Sequence, residues 1–268
     1  MNKKNYSFSA LNAWFNERND FHLILPHQPK LDQVAAICSL ASSLKKGGQS
    51  AHVLAPKSIQ VKFNQIYGVD KISHQLKGRD FVININYPLK NVEKINWDDQ
   101  QDNRVSLIIQ SKQDVNPIEE TMVSFDKKGG RIKNIISLGI NSANELSQIL
   151  KQITGKEFSS RPAVVNINNG GDFFGEVKII DKEASSFSEI VIALIEGLSL
   201  PFGPDEASNL LLGLQAVTNS FSTGLINADI FEAAAFCMRA GGQLKHFSSN
   251  DKSESFNKPK IYRGTSAQ

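Results

Sequence analysis

An α/β fold built on a mainly parallel sheet with helices on both faces is the class this sequence predicts, and three observations predict it. Apolar runs of strand length recur along the chain. Stretches with apolar residues at helical spacing stand between them. Two of the apolar runs end in polar, turn-forming clusters, at the position where such sheets build binding sites.

Phe21 to Leu25 is the first apolar run, and Pro26-His27-Gln28-Pro29-Lys30-Leu31-Asp32-Gln33 follows it. Val34, Ile37, Cys38, Ala41 and Leu44 then recur at helical spacing, Gly47-Gly48 supplies a stop, and Ala51 to Leu54 is a second strand. This is a βαβ opening. Phe81 to Ile85 predicts a further strand of the same sheet, leading to Asn86-Tyr87-Pro88. From about 91 to 130 the pattern changes to polar and apolar alternation, as in Val105 to Ile109 and Met122 to Phe125, which predicts an inserted antiparallel hairpin.

Asn134 to Leu138 is the next strand, followed by Leu146, Ile149, Leu150 and Ile153 on one helix face. Ala163 to Ile167 ends in Asn168-Asn169-Gly170-Gly171-Asp172, and Val177 to Ile180 comes after it. A C-terminal helical segment spans about 186 to 242. Its apolar stripes are Ile190/Val191/Leu194/Ile195, Ala207/Leu210/Leu211/Leu214 and Ile230/Phe231/Ala234/Ala235/Met238, with Asn227 capping the last helix and Gly241-Gly242 ending it. One α/β domain over 1–246 is expected, with a disordered tail over 247–268.

The chain has 268 residues, 40% of them hydrophobic, and a formal net charge of +3. The tail supplies Lys252, Lys258, Lys260 and Arg263 against Asp251 and Glu254, which leaves the body close to neutral. No face for duplex nucleic acid is expected, although a short cleft for a few phosphates is compatible with this balance. Two distant cysteines, Cys38 and Cys237, sit inside apolar helical patterns and suit a reducing cytoplasm without a disulfide framework. No run of about 18 apolar residues is present, so no membrane association is expected.

In order and spacing, these motifs resemble the DHH phosphoesterase superfamily, in its branch of oligoribonucleases and phosphoadenosine-phosphate phosphatases. The family's Ser-His-x-Pro-Asp-x-Asp-Ala aligns with Pro26 to Gln33, and its Asp-His-His falls on Asn168-Asn169-Gly170. Later landmarks align with Phe174-Gly175, with Ser185 to Glu189, and with Val217 to Phe221. The resemblance implies a DHH-domain-like sheet and, in active members, two manganese or magnesium ions that activate water and clamp a phosphate. It also implies a second, substrate-contacting domain, which this sequence is not expected to contain.

The ligand positions are eroded. His27 and Asp32 remain, but Lys30, Asn86 and Asn168 stand where the family has aspartates, Val217 where a further one is usual, and both signature histidines are absent. Two dications about 4 Å apart repel by about 17 kcal/mol at an effective dielectric of about 20, so the pair needs several anionic ligands. One aspartate does not supply them, and Lys30 is expected to pair with Asp32 instead. No residue is therefore assigned a catalytic role. His27, Lys30, Asp32, Asn86, Asn168 and Asn169 are the candidate ligand-binding residues, with His27 and Asp32 the residual metal candidates should any hydrolysis persist.

Each of these also has a plainer reading: His27 as a strand-end hydrogen-bonding group, Asp32 as a helix cap, Lys30 as a solvated charge, and Asn168 to Gly171 as a turn. The expectation is a catalytically inactive phosphoesterase-like protein that binds a nucleotide or short oligonucleotide. The alternatives are a weak metal-dependent phosphodiesterase, with manganese or magnesium as cofactor, and a structural or regulatory partner of itself or of an active paralogue.

Overall fold

A computed structural model describes residues 6–59, 63–76, 80–101, 104–128, 132–155, 162–222 and 225–244. The chain divides into two units, one comprising Met1–His74 with Ile132–Gln268, the other Gln75–Arg131.

In the first unit, β1 (Asp20–Ile24), β2 (Ser50–Leu54), β7 (Asn134–Leu138), β8 (Ala163–Asn168) and β9 (Val177–Ile180) form a five-stranded sheet in the order β2-β1-β7-β8-β9. Every pairing in it is parallel. Parallel strands need crossover connections, and helices placed on the faces bury both sides of the strands, so near-continuous apolar runs are favoured.

Register assigns the two faces. Leu23 pairs with Ile136, Ile136 with Val165, and Val165 with Val177, so these four lie in one row. They belong to a core shared with α1 (Phe8–Asn16), α2 (Leu31–Lys46), α4 (Phe187–Gly197), α5 (Pro204–Thr218) and α6 (Ala228–Arg239). The alternate row, His22, Ile135 and Val164, is also buried, and α3 (Ala143–Thr154) buries Leu146, Ile149, Leu150 and Ile153 outside that core. The sheet is thus covered on both faces by helical layers of unequal depth.

Local chemistry explains the helix limits. Ser142, Ser186 and Asn227 cap α3, α4 and α6 by accepting hydrogen bonds from Glu145 N, Ser188 N and Ile230 N. Pro204 opens α5, and buried Glu206 accepts hydrogen bonds from Gly203 N and, at 2.7 Å, from Lys46 Nζ, which ties α5 to the end of α2. Among the described residues no helix is long and apolar enough to cross a membrane. Cys38 and Cys237 are buried and unpaired, and burial pushes each thiol up to about 12.

The second unit holds two antiparallel ribbons, β3 (Asp80–Ile85) with β6 (Val123–Lys128), and β4 (Val92–Gln101) with β5 (Arg104–Ser111). Antiparallel pairing in the insert is as expected, and two expectations are corrected. Phe81 to Ile85 is not a strand of the parallel sheet: apolar Phe81, Ile83 and Ile85 alternate with residues that include Asn84, the period of a one-sided antiparallel strand. The inserted unit starts at Gln75 rather than about 91. Val105 to Ile109 pairs with β4, whereas Val123 to Lys128 pairs with β3.

Two further differences lie in the helices. α1 was not anticipated, although Leu11, Trp14 and Phe15 carry helical spacing and are buried. α6 turns Ile230, Ala233, Ala234 and Cys237 inward and leaves Phe231 and Met238 exposed, so its buried stripe is narrower than the one expected. The tail expected over 247–268 lies outside the described residues.

One buried polar atom has a pH consequence. His22 is 6% exposed and its Nδ1 has no hydrogen-bond partner. Desolvation lowers its pKa from 6.5, with Asp20 opposing and His52 adding to the effect. The unfolded chain therefore binds this proton more readily, and stability falls as pH drops below about 6.5 toward the lowered folded value. Melting temperatures between pH 7.5 and pH 5 should decline less in His22→Phe than in the natural chain. An identical decline would assign the acid sensitivity elsewhere.

Candidate functional site

The strand order 2-1-7-8-9 reverses direction between β1 and β7. In an open parallel sheet, the helices that follow the strands leave on opposite faces at such a point, which opens a crevice beyond the carboxyl ends. The residues facing that position are dictated by chain connectivity: Leu25 to Lys30 after β1, Gly139 to Ser142 after β7, and Asn169 to Asp172 after β8. Adjacent strands lie about 4.8 Å apart, so the β1 and β8 exits are separated by about 10 Å with the β7 exit between them.

At the β1 exit Pro26 and Pro29 are buried, His27 is half-buried, and Gln28 and Lys30 are exposed. Lys30 is the N-cap residue of α2, and its backbone N–H donates to Gln33 Oε1 at 2.8 Å. Gln33 lies against Gly139 of the β7 exit. A Cβ there would come within 2.1 Å of Gln33 Nε2, and the φ of +69° also favours glycine, so a bare backbone is needed to bring the start of α2 to the switch point.

At the β8 exit Asn168 is 2% exposed, and both ends of its amide are engaged. Nδ2 donates to Ile140 O at 2.9 Å and to Asn141 Oδ1 at 3.3 Å, while Oδ1 accepts from Asn169 N at 2.9 Å. Asn168 thus acts as a bracket between the β8 and β7 exits. Asp172 N donates to Asn141 O at 2.7 Å, and Gly171, at φ +81°, passes too close to Asn141 for a side chain. Asn169 and Asn141 are exposed at the surface of this bracket. Glu145 closes α3 by accepting from Asn141 N at 2.9 Å.

Asp32 has a different environment from the one expected. It lies in the first turn of α2, 4% exposed, and its carboxylate faces the N-terminus of α4. Oδ1 accepts from Ser186 Oγ at 2.8 Å, Ser188 N at 3.0 Å and Ser188 Oγ at 2.6 Å, and Oδ2 accepts from Phe187 N at 2.6 Å. Its partners are these four donors and not Lys30. Burial drives its pKa up, and the four hydrogen bonds oppose that rise. Gly213 of α5 closes the cluster, since a Cβ would sit 2.0 Å from Ser188 Oγ and 2.7 Å from Asp32 Oδ1.

His27, Lys30, Asn168 and Asn169 therefore share the exit end of one sheet, where Asp32 is buried beneath it. Asn86 is exposed and belongs to the second unit, so it is not a strand-exit residue of that sheet. The strand between β1 and β8 is β7, and Asn141 is the amide at its exit. Sequence reasoning had passed over Asn141, although it directly precedes the capping pattern Ser142-x-x-Glu145 that marks a strand-to-helix junction.

The manganese or magnesium pair implied by the family resemblance does not fit these residues. Among the described residues, no group of three or more His, Cys, Asp and Glu is placed to hold a metal ion. Asp32 could join one only by giving up donors of α4, which would then be buried without partners.

No family model matches the sequence, and no curated protein matches it significantly. Among solved structures the chain is similar to an exopolyphosphatase-related protein from Bacteroides fragilis, with a TM-score of 0.59 at 13% identity. The alignment covers 91% of this chain and 58% of that one, so this chain spans less than two thirds of its neighbour's length. At that identity the likeness establishes a shared α/β fold.

Asp32→Ala should lower folding stability by about 3–5 kcal/mol, because it leaves buried donors at the α4 N-terminus without an acceptor. Gly213→Ala should cost about 1–3 kcal/mol through crowding of the same cluster. Urea unfolding midpoints test both. A midpoint unmoved by Asp32→Ala would remove this residue from its structural role.

Proposed function

We propose that this chain is a catalytically silent relative of the DHH phosphoesterases that binds a phosphate-bearing ligand, a nucleotide or short oligonucleotide, at the exits of β1, β7 and β8. One observation carries the reading: the three exit loops present a cation, an imidazole and neutral amides against a single exposed carboxylate, Asp172, while the aspartate retained from the family motif is buried as a helix anchor. Lys30 supplies positive charge at the N-terminal end of α2, whose dipole has the same sign. His27, Asn141 and Asn169 supply hydrogen-bonding groups around it. Asn168 and Asp32 act by position, fixing the loops and the helix on which the contacts stand.

Binding by this set needs no divalent cation. An anionic phosphate is favoured by Lys30 and by helix-terminal N–H groups, whereas a dinuclear metal centre would face an ammonium and too few carboxylates. The name of the structural neighbour makes a short polyphosphate a further ligand to compare with nucleotides.

The test is thermal unfolding with EDTA present, against mononucleotides, dinucleotides and short polyphosphates. A ligand at about 100 times its Kd adds about 2.7 kcal/mol, a rise of roughly 5–10 °C for a chain of this size. Lys30→Ala should abolish most of the rise while leaving the unliganded melting temperature nearly unchanged, since Lys30 is exposed. No shift with any member of the panel overturns the binding proposal. Manganese-dependent phosphodiester cleavage abolished by a chelator overturns the silence.

A further inference from the structure

The second unit keeps large apolar side chains in water in a regular pattern. In the β4–β5 ribbon Ile95 stands opposite Ile109 and Trp97 opposite Leu107, so these four share one face. Trp97 is 73% exposed, Val105 76%, Ile95 56% and Leu107 48%. Lys94, Asn96, Asp98, Ser106 and Gln110 fall on the opposite face by alternation, where Ile108, 45% exposed, is the one large apolar side chain. This is the pattern of a strand pair that expects a cover on one side.

The ribbon is also incomplete as a sheet. Among the described residues it has two strands, of 10 and 8 residues, and each offers an outer edge with no neighbouring strand there. Long edges of this kind pair with other strands unless charge, proline or a covering element prevents it. A two-stranded ribbon by itself is also marginal in water. We propose that the apolar face of the β4–β5 ribbon, centred on Trp97 and Leu107, is the contact through which two copies of this chain associate.

Charge and area favour a second copy over other occupants. Residues 75–131 contain nine Lys and Arg and nine Asp and Glu, a net charge of zero. Two copies therefore meet without net repulsion, whereas a nucleic acid or an anionic lipid surface would call for a basic surplus. The four exposed apolar side chains present on the order of 500 Å² per copy, so a symmetric contact covers about 1,000 Å² in total, the lower range of specific interfaces. A twofold contact uses the same patch on both sides, and an aromatic at its centre is the usual energetic anchor.

Sedimentation of the full chain at increasing concentration, without nucleotide, tests this independently of the crevice. A mass near twice 29.6 kDa is expected for the natural chain. Trp97→Glu and Leu107→Lys should each shift it to the monomer, while far-UV circular dichroism and the melting transition of the main sheet stay the same. Combining the two in separate chains and mixing them should restore the heavier species. A natural chain that is monomeric at all concentrations, a dimer untouched by either substitution, or a monomer that sediments with vesicles of phosphatidylcholine and phosphatidylserine through Trp97 would each overturn the proposal.

Discussion

The first unit is organised around one carboxylate. Asp32 lies in the opening turn of α2 and accepts four hydrogen bonds from the opening turn of α4, so a single carboxyl group joins the N-terminal ends of two helices. A buried carboxyl group is tolerable only when its partners are complete, and here two hydroxyls and two backbone amides complete it. The position of α2 follows, since α4 and α5 are the helices packed against it and Gly213 of α5 forms the lid of the cluster. With α2 fixed, Gln33 of its first turn is held against Gly139 at the sheet's switch point.

This arrangement gives the crevice its chemistry. Asp32 is consumed by the fold, and what remains exposed or half-buried on the three exit loops is an ammonium, an imidazole, carboxamides and one carboxylate, Asp172. Asn168 belongs to the same economy: in place of a charged ligand it joins two strand exits through a neutral amide that needs no counter-ion. On the proposed reading, such groups attract anions and do not concentrate divalent cations. The proposed phosphate binding and the proposed loss of catalysis thus have one physical origin.

The inserted unit follows different rules. Its ribbons are antiparallel and the apolar side of β4–β5 is in water, whereas the central strands β1, β7 and β8 of the five-stranded sheet are buried on both faces along most of their length. This contrast explains why Phe81 to Ile85 was misassigned. Five residues with Asn84 among them fit either a short buried strand or one side of a ribbon, and only the partner strand distinguishes the two.

The sequence alone determined the βαβ opening, the strands at Asn134 to Leu138 and Ala163 to Ile167, and the C-terminal helices, because these depend on apolar periodicity and on caps only a few residues away. It also located the exits after β1 and β8, since strand ends and turn residues are local features. Tertiary structure decided which strand lies between them, and so placed Asn141 rather than Asn86 on the sheet's exit end. It also decided which way Asp32 faces. Both outcomes depend on pairings between residues more than a hundred positions apart, and a carboxylate's partners are set by which helix terminus reaches it, a distance that local pattern does not encode.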